Sequence, residues 1–404
     1  MYCVRTVTPD VFLLGASDRR LSLFENVFPV PRGVSYNAYL VLDEKTVLVD
    51  TVDSAVGAHF YENLEHALQG RPLDYVIINH MEPDHCSTLG AVFRCYPDAK
   101  VVASAKAISM IGQFFDADVT ERCMPVKEGD TLCTGRHTFA FAMAPMVHWP
   151  EVMVTYDTTD KLLFSADAFG TFGALNGNIF ADEVNFQSEW LPDARRYYTN
   201  IVGKYGPQVQ TLLKKAAALD IQYLCPLHGP IWRKDIGWFV EKYQRWSSYT
   251  PEDRTVAIFC GSIYGNTENA AEILAARLAD KGVRDVRLYD VSHTHVSELV
   301  SEAFRCSHLV FASATYNGEI YTPMDNFLRD LKSHGLRNRT AALIENGTWA
   351  AVSGKQMAEL LGTMKDITVL EGTVSLKSSV KEAQRQSLEA LADTLAADVL
   401  AHGE

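Results

Sequence analysis

The 404-residue sequence predicts two consecutive domains, an α+β layered sandwich over residues 1–250 and a doubly wound parallel α/β sheet over residues 251–404. Three observations carry this. Before residue 250, many short β-branched runs are mixed with helical stretches. The polar, proline-containing segment Ser247-Ser248-Tyr249-Thr250-Pro251-Glu252-Asp253-Arg254 then reads as a linker. After it, five strand-then-helix steps follow in close succession.

In the first part, residues 36–42, a turn at Asp43-Glu44-Lys45 and residues 46–50 form a predicted hairpin. Further strands are expected at 75–78, 101–102, 139–143, 152–156 and 162–165, with helices over 194–202 and 211–218. In the second part, strands are expected at 256–260, 286–289, 309–312, 341–344 and 367–370. The helix between the first two, 267–281, carries Ala271, Leu274 and Leu278 on one face and stops at Gly282.

Hydrophobic residues make up 47% and charged residues 22%, enough for buried cores without covalent staples. The net charge of -13 sets an acidic surface against phosphate backbones, so no nucleic-acid partner is expected. The first ten residues have no basic-then-apolar leader, and no apolar run approaches spanning length. The expectation is a cytoplasmic protein with no membrane partner. No two of the eight cysteines form a C-x-x-C pair, which disfavours zinc ribbons and iron–sulfur or rubredoxin-type sites. Buried, reduced thiols are expected instead.

The densest chemical signal is His80-Met81-Glu82-Pro83-Asp84-His85, directly after the apolar run Tyr75-Val76-Ile77-Ile78. It offers four potential metal ligands in six residues, with Pro83 expected to hold the segment as a turn rather than a helix. Three further candidates, His148, Asp167 and His228, each follow a predicted strand, and loops leaving one sheet edge can converge. Singly, each is a commonplace polar residue; together with the cluster they form a metal-ligating set. His59, His66 and His137 fit no such pattern.

This order resembles the metallo-β-lactamase superfamily, with its H-x-H-x-D-H hallmark followed by a distant His, Asp and His. The resemblance implies an αββα sandwich. Here Glu82 replaces the second histidine, giving four imidazoles and three carboxylates, which favours iron or manganese over zinc. Within the superfamily, H-x-E-x-D-H is similar to the flavodiiron proteins. That resemblance implies two irons: His80, Glu82 and His148 on one, Asp84, His85 and His228 on the other, and Asp167 bridging. It also implies that Asp50 supports the site from behind.

A second constellation follows the 256–260 strand: Gly261-Ser262-Ile263-Tyr264-Gly265-Asn266-Thr267-Glu268 leads into a helix. Glycines, hydroxyls and amides at a helix start present neutral donors to an anion. The segment lacks the P-loop lysine and the dinucleotide G-x-G-x-x-G, so ATP and NAD are disfavoured. It resembles the first FMN loop of flavodoxins. By the same resemblance, Ser313-Ala314-Thr315-Tyr316-Asn317-Gly318 and Asn346-Gly347-Thr348-Trp349 flank the flavin, with Tyr316 and Trp349 as stacking candidates. The third loop departs from the Gly-Ser-(Tyr/Phe)-Gly-Trp pattern of flavodiiron proteins.

Together the two resemblances span nearly the whole chain. They imply a flavodiiron oxidoreductase that reduces dioxygen to water, nitric oxide to nitrous oxide, or both. FMN stores two electrons and a diiron pair two more, the four that dioxygen requires. The family further implies a head-to-tail homodimer, or a tetramer built from it, and an external donor such as rubredoxin or a reduced deazaflavin. Two readings stay open beside it: a zinc hydrolase with a regulatory flavodoxin domain, and a non-catalytic electron carrier.

Overall fold

The computed structural model describes residues 2–115 and 121–401. The chain divides into two compact units, Met1–Gln244 and Arg245–Glu404. The division falls six residues before the expected boundary at residue 250.

The first unit is built on two sheets. A seven-stranded sheet runs Arg5–Thr8, Val11–Leu13, Tyr39–Leu42, Thr46–Val49, Tyr75–Ile78, Lys100–Ser104 and Cys123–Val126, in that spatial order. A five-stranded sheet runs Thr131–Cys133, Thr138–Met143, Met153–Asp157, Leu162–Phe164 and Tyr223–Cys225. The sheets share one core, to which the first contributes Val47, Val49, Ile77 and Val102 and the second Phe139, Phe141, Leu162 and Phe164. Alternate residues of the first sheet, such as Leu48, Val76 and Ile78, are also fully buried on its other face. A strand covered on both faces reads as the unbroken apolar run seen at Tyr75–Ile78. The helix Gly57–Leu68 buries Phe60, Leu64 and Leu68, spaced four apart along one stripe.

Three local expectations are corrected. Residues 36–42 are not one strand: Val34–Tyr36 pairs with Ala16–Asp18, whereas Tyr39–Leu42 pairs with Thr46–Val49. The break is at Asn37, whose side-chain amide donates to the carbonyls of Pro226 and Gly229, both at 2.9 Å. Pro83 does not prevent a helical turn but starts one, over Pro83–Cys86, because a first helical residue needs no N–H and has the φ that proline fixes. The predicted 194–202 helix is α-helical only over Leu191–Tyr197 and widens into a π-helical turn at Tyr198–Val202.

In the second unit, five parallel strands lie in the order Arg287–Asp290, Asp253–Gly261, Cys306–Tyr316, Arg339–Asn346, Ile367–Val369. Alternation builds a core on each face. Ala257, Phe259, Leu309 and Phe311 pack with Leu299, Phe304, Phe327 and Leu328 of two helices. Val256, Ile258, Val310 and Ile344 pack with Leu274, Leu278, Leu388 and Leu395 of two others. The chain order reverses between the Asp253–Gly261 and Cys306–Tyr316 strands, which opens a crevice at their carboxyl ends. A short additional strand, Val374–Leu376, pairs with the end of Arg339–Asn346.

Only half of the cysteines meet the buried-thiol expectation: Cys86, Cys225, Cys260 and Cys306 are buried, and Cys3, Cys95 and Cys133 are exposed. No helix among the described residues is long and apolar enough to cross a membrane.

Candidate functional site

In the first unit the candidate ligands leave the carboxyl ends of strands. His80 follows Tyr75–Ile78, and its approach is fixed by the fully buried Asp50. The Asp50 carboxylate accepts from the Asn79 backbone N–H at 2.7 Å, the Asn79 side-chain amide at 2.8 Å and the His80 N–H at 3.3 Å. Burial pushes its carboxyl up to about 6 against those hydrogen bonds. The helical turn that Pro83 starts then presents Asp84 and His85. Asp167 follows Leu162–Phe164, and His228 follows Tyr223–Cys225.

All seven predicted ligands come together, in two groups. In the first, the His148 Nε2 lies 2.9 Å from Glu82 Oε2, and the His80 Nε2 lies 3.3 Å from that oxygen. Asp167 Oδ2 lies 3.2 Å from the His80 Nε2 and 3.0 Å from that of His148. In the second, the His85 and His228 Nε2 atoms are 3.1 Å apart, each 3.3 Å from Asp84 Oδ2. Asp167 Oδ1 faces this group, 3.1 Å from His85 and 3.6 Å from His228. One carboxylate thus turns one oxygen to each group.

These separations fit cations. Adjacent donors at about 2.0–2.2 Å from a common centre must lie about 2.8–3.6 Å apart. The Nδ1 of His80 is 2.7 Å from the Glu151 carboxylate, and that of His228 is 2.7 Å from the Ser35 carbonyl. Both partners are acceptors, so each Nδ1 carries the proton and each Nε2 lone pair points inward. The His228 Nε2 lies 3.1 Å from that of His85 and the His80 Nε2 3.4 Å from that of His148, close approaches that a shared cation would satisfy. Asp84 Oδ1 and Oδ2 and Asp167 Oδ1 are buried and make no hydrogen bond, the mark of a site built for an ion. Burial opposes ionisation here. Even so, Asp167 and Glu82 hold His148 up at about 9, and the histidines hold Asp167 far below the carboxylate range.

A cavity of about 570 Å³ adjoins the groups and is lined by Phe24, Glu25, Tyr36, Asp53, Glu82 and Asp84. The Glu25 residue is exposed overall, yet its carboxyl is pushed up to about 8, by loss of solvent and then by the charge of Glu82.

Among the described residues, the other histidines do not join. His137 binds Asp157 at 2.9 Å, and the Arg136 guanidinium sits between Asp10 and Asp160, so that cluster is ion-paired internally. His66 stacks on Tyr2.

In the second unit, the three predicted loops leave neighbouring parallel strands. Gly261 lies opposite Ser313, and Ala314 opposite Asn346. Gly265, at φ +84°, turns the first loop into the helix Asn266–Asp280, whose N-terminus no side chain caps. Its first N–H groups are therefore available to a phosphate. The Asn346 amide donates to Thr267 Oγ1 at 3.3 Å and to the Ser378 carbonyl at 3.0 Å, tying the first and third loops together. Gly347 is required because a Cβ there would lie 2.0 Å from the Ala350 carbonyl oxygen.

Around these loops, Ile263, Tyr264, Tyr316 and Trp349 are exposed, with Trp349 at 94%, an unusual concentration of uncovered large hydrophobic side chains. The side chains of Ser313 and Thr315 are committed elsewhere. Ser313 Oγ donates to Ala314, and Thr315 Oγ1 accepts from Val352 and Ser353. Ser262 Oγ accepts from Gly265 at 3.1 Å, and Thr348 shares a hydroxyl contact with Ser378 at 2.8 Å. Asn317 and Gly318 form the left-handed tip of the second loop.

Four residues escape the sequence reading: Glu151, Ser35, Glu25 and Ser378. Glu151 is three residues beyond His148, yet nothing local shows that it meets His80. Ser378 follows the short Val374–Leu376 strand, which the pattern did not predict.

Residues 34–229 match the family model described as ODP family beta lactamase, and residues 258–367 match that of flavodoxin. Among curated proteins, the "Anaerobic nitric oxide reductase flavorubredoxin" of Aliivibrio salmonicida is 31% identical over 347 residues, 84% of this chain and 68% of that protein. Its namesake in Aeromonas hydrophila is 32% identical over 350 residues, 85% of this chain and 70% of that protein. Among solved structures, the rubredoxin oxygen:oxidoreductase of Desulfovibrio gigas matches with a TM-score of 0.90 at 29% identity, over 99% of both chains. A flavo di-iron protein variant from Thermotoga maritima matches with a TM-score of 0.89 at 26% identity, also over 99% of both. With both domain models in the same order and these relatives aligned across most of its length, the chain belongs to the flavodiiron family.

Proposed function

We propose that this protein is an oxidoreductase that reduces dioxygen to water, nitric oxide to nitrous oxide, or both, at a two-iron centre supplied through FMN by an external donor. The observation that carries the reading is Asp167, whose two oxygens face two separate, buried groups of inward-pointing donors. His80, Glu82 and His148 would hold one ion, Asp84, His85 and His228 the other, with Asp167 between. Three carboxylates among seven donors suit iron better than zinc. When bound, the irons supply two electrons and open coordination positions, and FMN supplies two more electrons.

The chain's own residues then set the conditions. Glu151 and Ser35 lock His80 and His228 with their lone pairs inward. The adjoining cavity, walled by Phe24 and Tyr36, has room for a diatomic gas beside Glu82 and Asp84. In the second unit, the uncapped start of the Asn266–Asp280 helix would take the FMN phosphate, with Ser262, Asn266 and Thr267 around it. Tyr316 and Trp349 would flank the ring. Ser313 Oγ already donates to the Ala314 carbonyl and Thr315 Oγ1 accepts from Val352 and Ser353, so toward the flavin Ser313 would act as an acceptor and Thr315 as a donor.

Three finer points belong to the same reading. A rubredoxin-type donor is supported by the name of the Desulfovibrio gigas neighbour; a reduced deazaflavin is the alternative. A head-to-tail homodimer, or a tetramer of such pairs, rests on the family resemblance. A cytoplasmic location is supported by the lack of any disulfide among the described cysteines. No observation favours a hydrolase over this reading, since Glu82 faces His80 and His148 directly.

The test is anaerobic turnover of the reduced, iron-loaded protein with dioxygen and nitric oxide in parallel, using one donor. Consumption of either gas, lost in Asp84→Asn, supports the reading, and the ratio assigns the substrate. Preparations that hold two irons and one FMN but consume neither gas, or an Asp84→Asn variant that still turns over, would overturn it.

A further inference from the structure

We propose that the first unit carries a second small-molecule site: a cavity that binds a small organic anion and bears on the orientation of His228. The cavity holds about 580 Å³, opens to solvent past the exposed Arg5, Arg19 and His59, and is separate from the one beside Glu82 and Asp84, with no lining residue in common. Its size is that of small-molecule sites, about 300–1,000 Å³.

Its chemistry is one-sided. Arg5, Arg19 and His59 line it, and no Asp or Glu does. In a chain with 50 acidic and 37 basic side chains, a cavity furnished only with basic groups runs against the composition. Neither arginine pairs with a carboxylate among the described residues. Instead both guanidiniums donate to the segment that walls the cavity, Arg5 to the Gly177 carbonyl and Arg19 to Leu175, with Asn176 Oδ1 3.0 Å from Arg19. These bonds hold the two charges in place, and each fork has further N–H groups to offer a carboxylate or phosphate. Most of the remaining lining is apolar, with the buried Leu13 and Ile179, and Ser35, Asn37 and Asn63 add neutral polar groups. A ligand with an anionic head and a compact apolar body satisfies both halves.

The inner wall connects to the metal centre. Ser35 and Asn37 line the cavity, and both hold the His228 loop. The Ser35 carbonyl accepts from His228 Nδ1, Ser35 Oγ accepts from the Gly229 N–H at 2.7 Å, and Asn37 donates to Pro226 and Gly229. An occupant touching Ser35 therefore presses on the group that orients the His228 ring. This bearing on His228 rests on the metal-centre reading above; binding itself does not.

The experiment is calorimetric titration of the full chain, iron-loaded and metal-stripped, with benzoate, inorganic phosphate and benzyl alcohol. The expected result is one benzoate per chain in both forms, with phosphate and benzyl alcohol at least about tenfold weaker, since each lacks half of the match. Arg5→Gln/Arg19→Gln should weaken benzoate at least about tenfold. Because that double variant also loosens the 175–177 wall, Ala16→Leu serves as a second test: it fills the cavity without touching a charge and should abolish binding while metal and flavin contents stay unchanged. No benzoate binding, or binding that neither variant alters, would overturn the site. Phosphate binding as tightly as benzoate would overturn the apolar half of the match. By reciprocity, a link to His228 requires different benzoate affinities in the loaded and stripped forms. Equal affinities refute the link alone, whereas a protein that holds no iron yet binds benzoate refutes the metal reading alone.

Discussion

Replacing Glu151 by glutamine isolates one half of the metal centre. Glu151 Oε1 accepts from His80 Nδ1 at 2.7 Å and from the Met81 N–H at 2.9 Å, and both Glu151 and His80 are buried. Burial raises the Glu151 carboxyl, but the His80 contact outweighs it and keeps the group below its ordinary value, so it acts as an anion. Glutamine keeps one acceptor oxygen and the shape while removing the charge, which turns two charge-assisted hydrogen bonds into neutral ones of roughly half the strength. Outer partners of metal-bound histidines are typically worth 10–100-fold in affinity, or about 1.4–2.7 kcal/mol. The ion held by His80, Glu82 and His148 should therefore weaken by about 10–100-fold. The ion held by Asp84, His85 and His228 should change by much less, because Ser35, not Glu151, orients that group. Chelator competition under anaerobic conditions, fitted to two sites, reads both constants. Equal weakening of both ions, or no weakening of either, would refute the division into two groups and the orienting role of Glu151. Glu151→Ala should do more, because it also strands the buried Met81 N–H at about 1–3 kcal/mol of stability.

Three further outcomes are expected. Asp167→Asn offers an amide nitrogen, which is no metal donor, in place of one of two oxygens, so metal analysis should find at most one tightly held ion per chain. Gly347→Ala drives a Cβ to 2.0 Å from the Ala350 carbonyl and must rebuild the third loop, so absorbance should show lost FMN while the ion content is unchanged. Asp43 is held at about 2: burial raises it, but the His137 and Arg136 N–H groups and the Thr134 hydroxyl outweigh that. Its folded value lies below its unfolded one, so its contribution is full above about pH 4 and lost as pH falls toward 2. Acid titration of Asp43→Asn should accordingly show a shallower loss of stability between pH 4 and 2 than the parent.

What was legible in the sequence is what a contiguous stretch encodes. The run Tyr75–Ile78 followed by His80, Glu82, Asp84 and His85 declares a strand and its ligands within a dozen positions. The same holds for the Asp253–Gly261 strand, its glycine turn and its helix. Where the reading failed, the deciding partner lay far along the chain. The strand break at Asn37 is made by carbonyls 189 and 192 positions away, and no periodicity within residues 34–42 encodes it. Pro83 differs from expectation for the opposite, purely local reason: the rule that proline ends helices applies to their interiors, and this one stands at a first position.

The same distinction runs through the site. Its donors are identified by residue type and local order, but their lone pairs are aimed by Glu151, 71 positions from His80, and by Ser35, 193 positions from His228. An acceptor on Nδ1 fixes the ring of a metal-ligating histidine, as Glu151 and Ser35 do for His80 and His228. The fully buried His85, whose Nδ1 has no partner among the described residues, is held by packing alone. Removing a donor should therefore delete an ion, while altering Glu151 or Ser35 should leave the ion present but loosely held. Those two classes of variant separate what the sequence declares from what only the fold supplies.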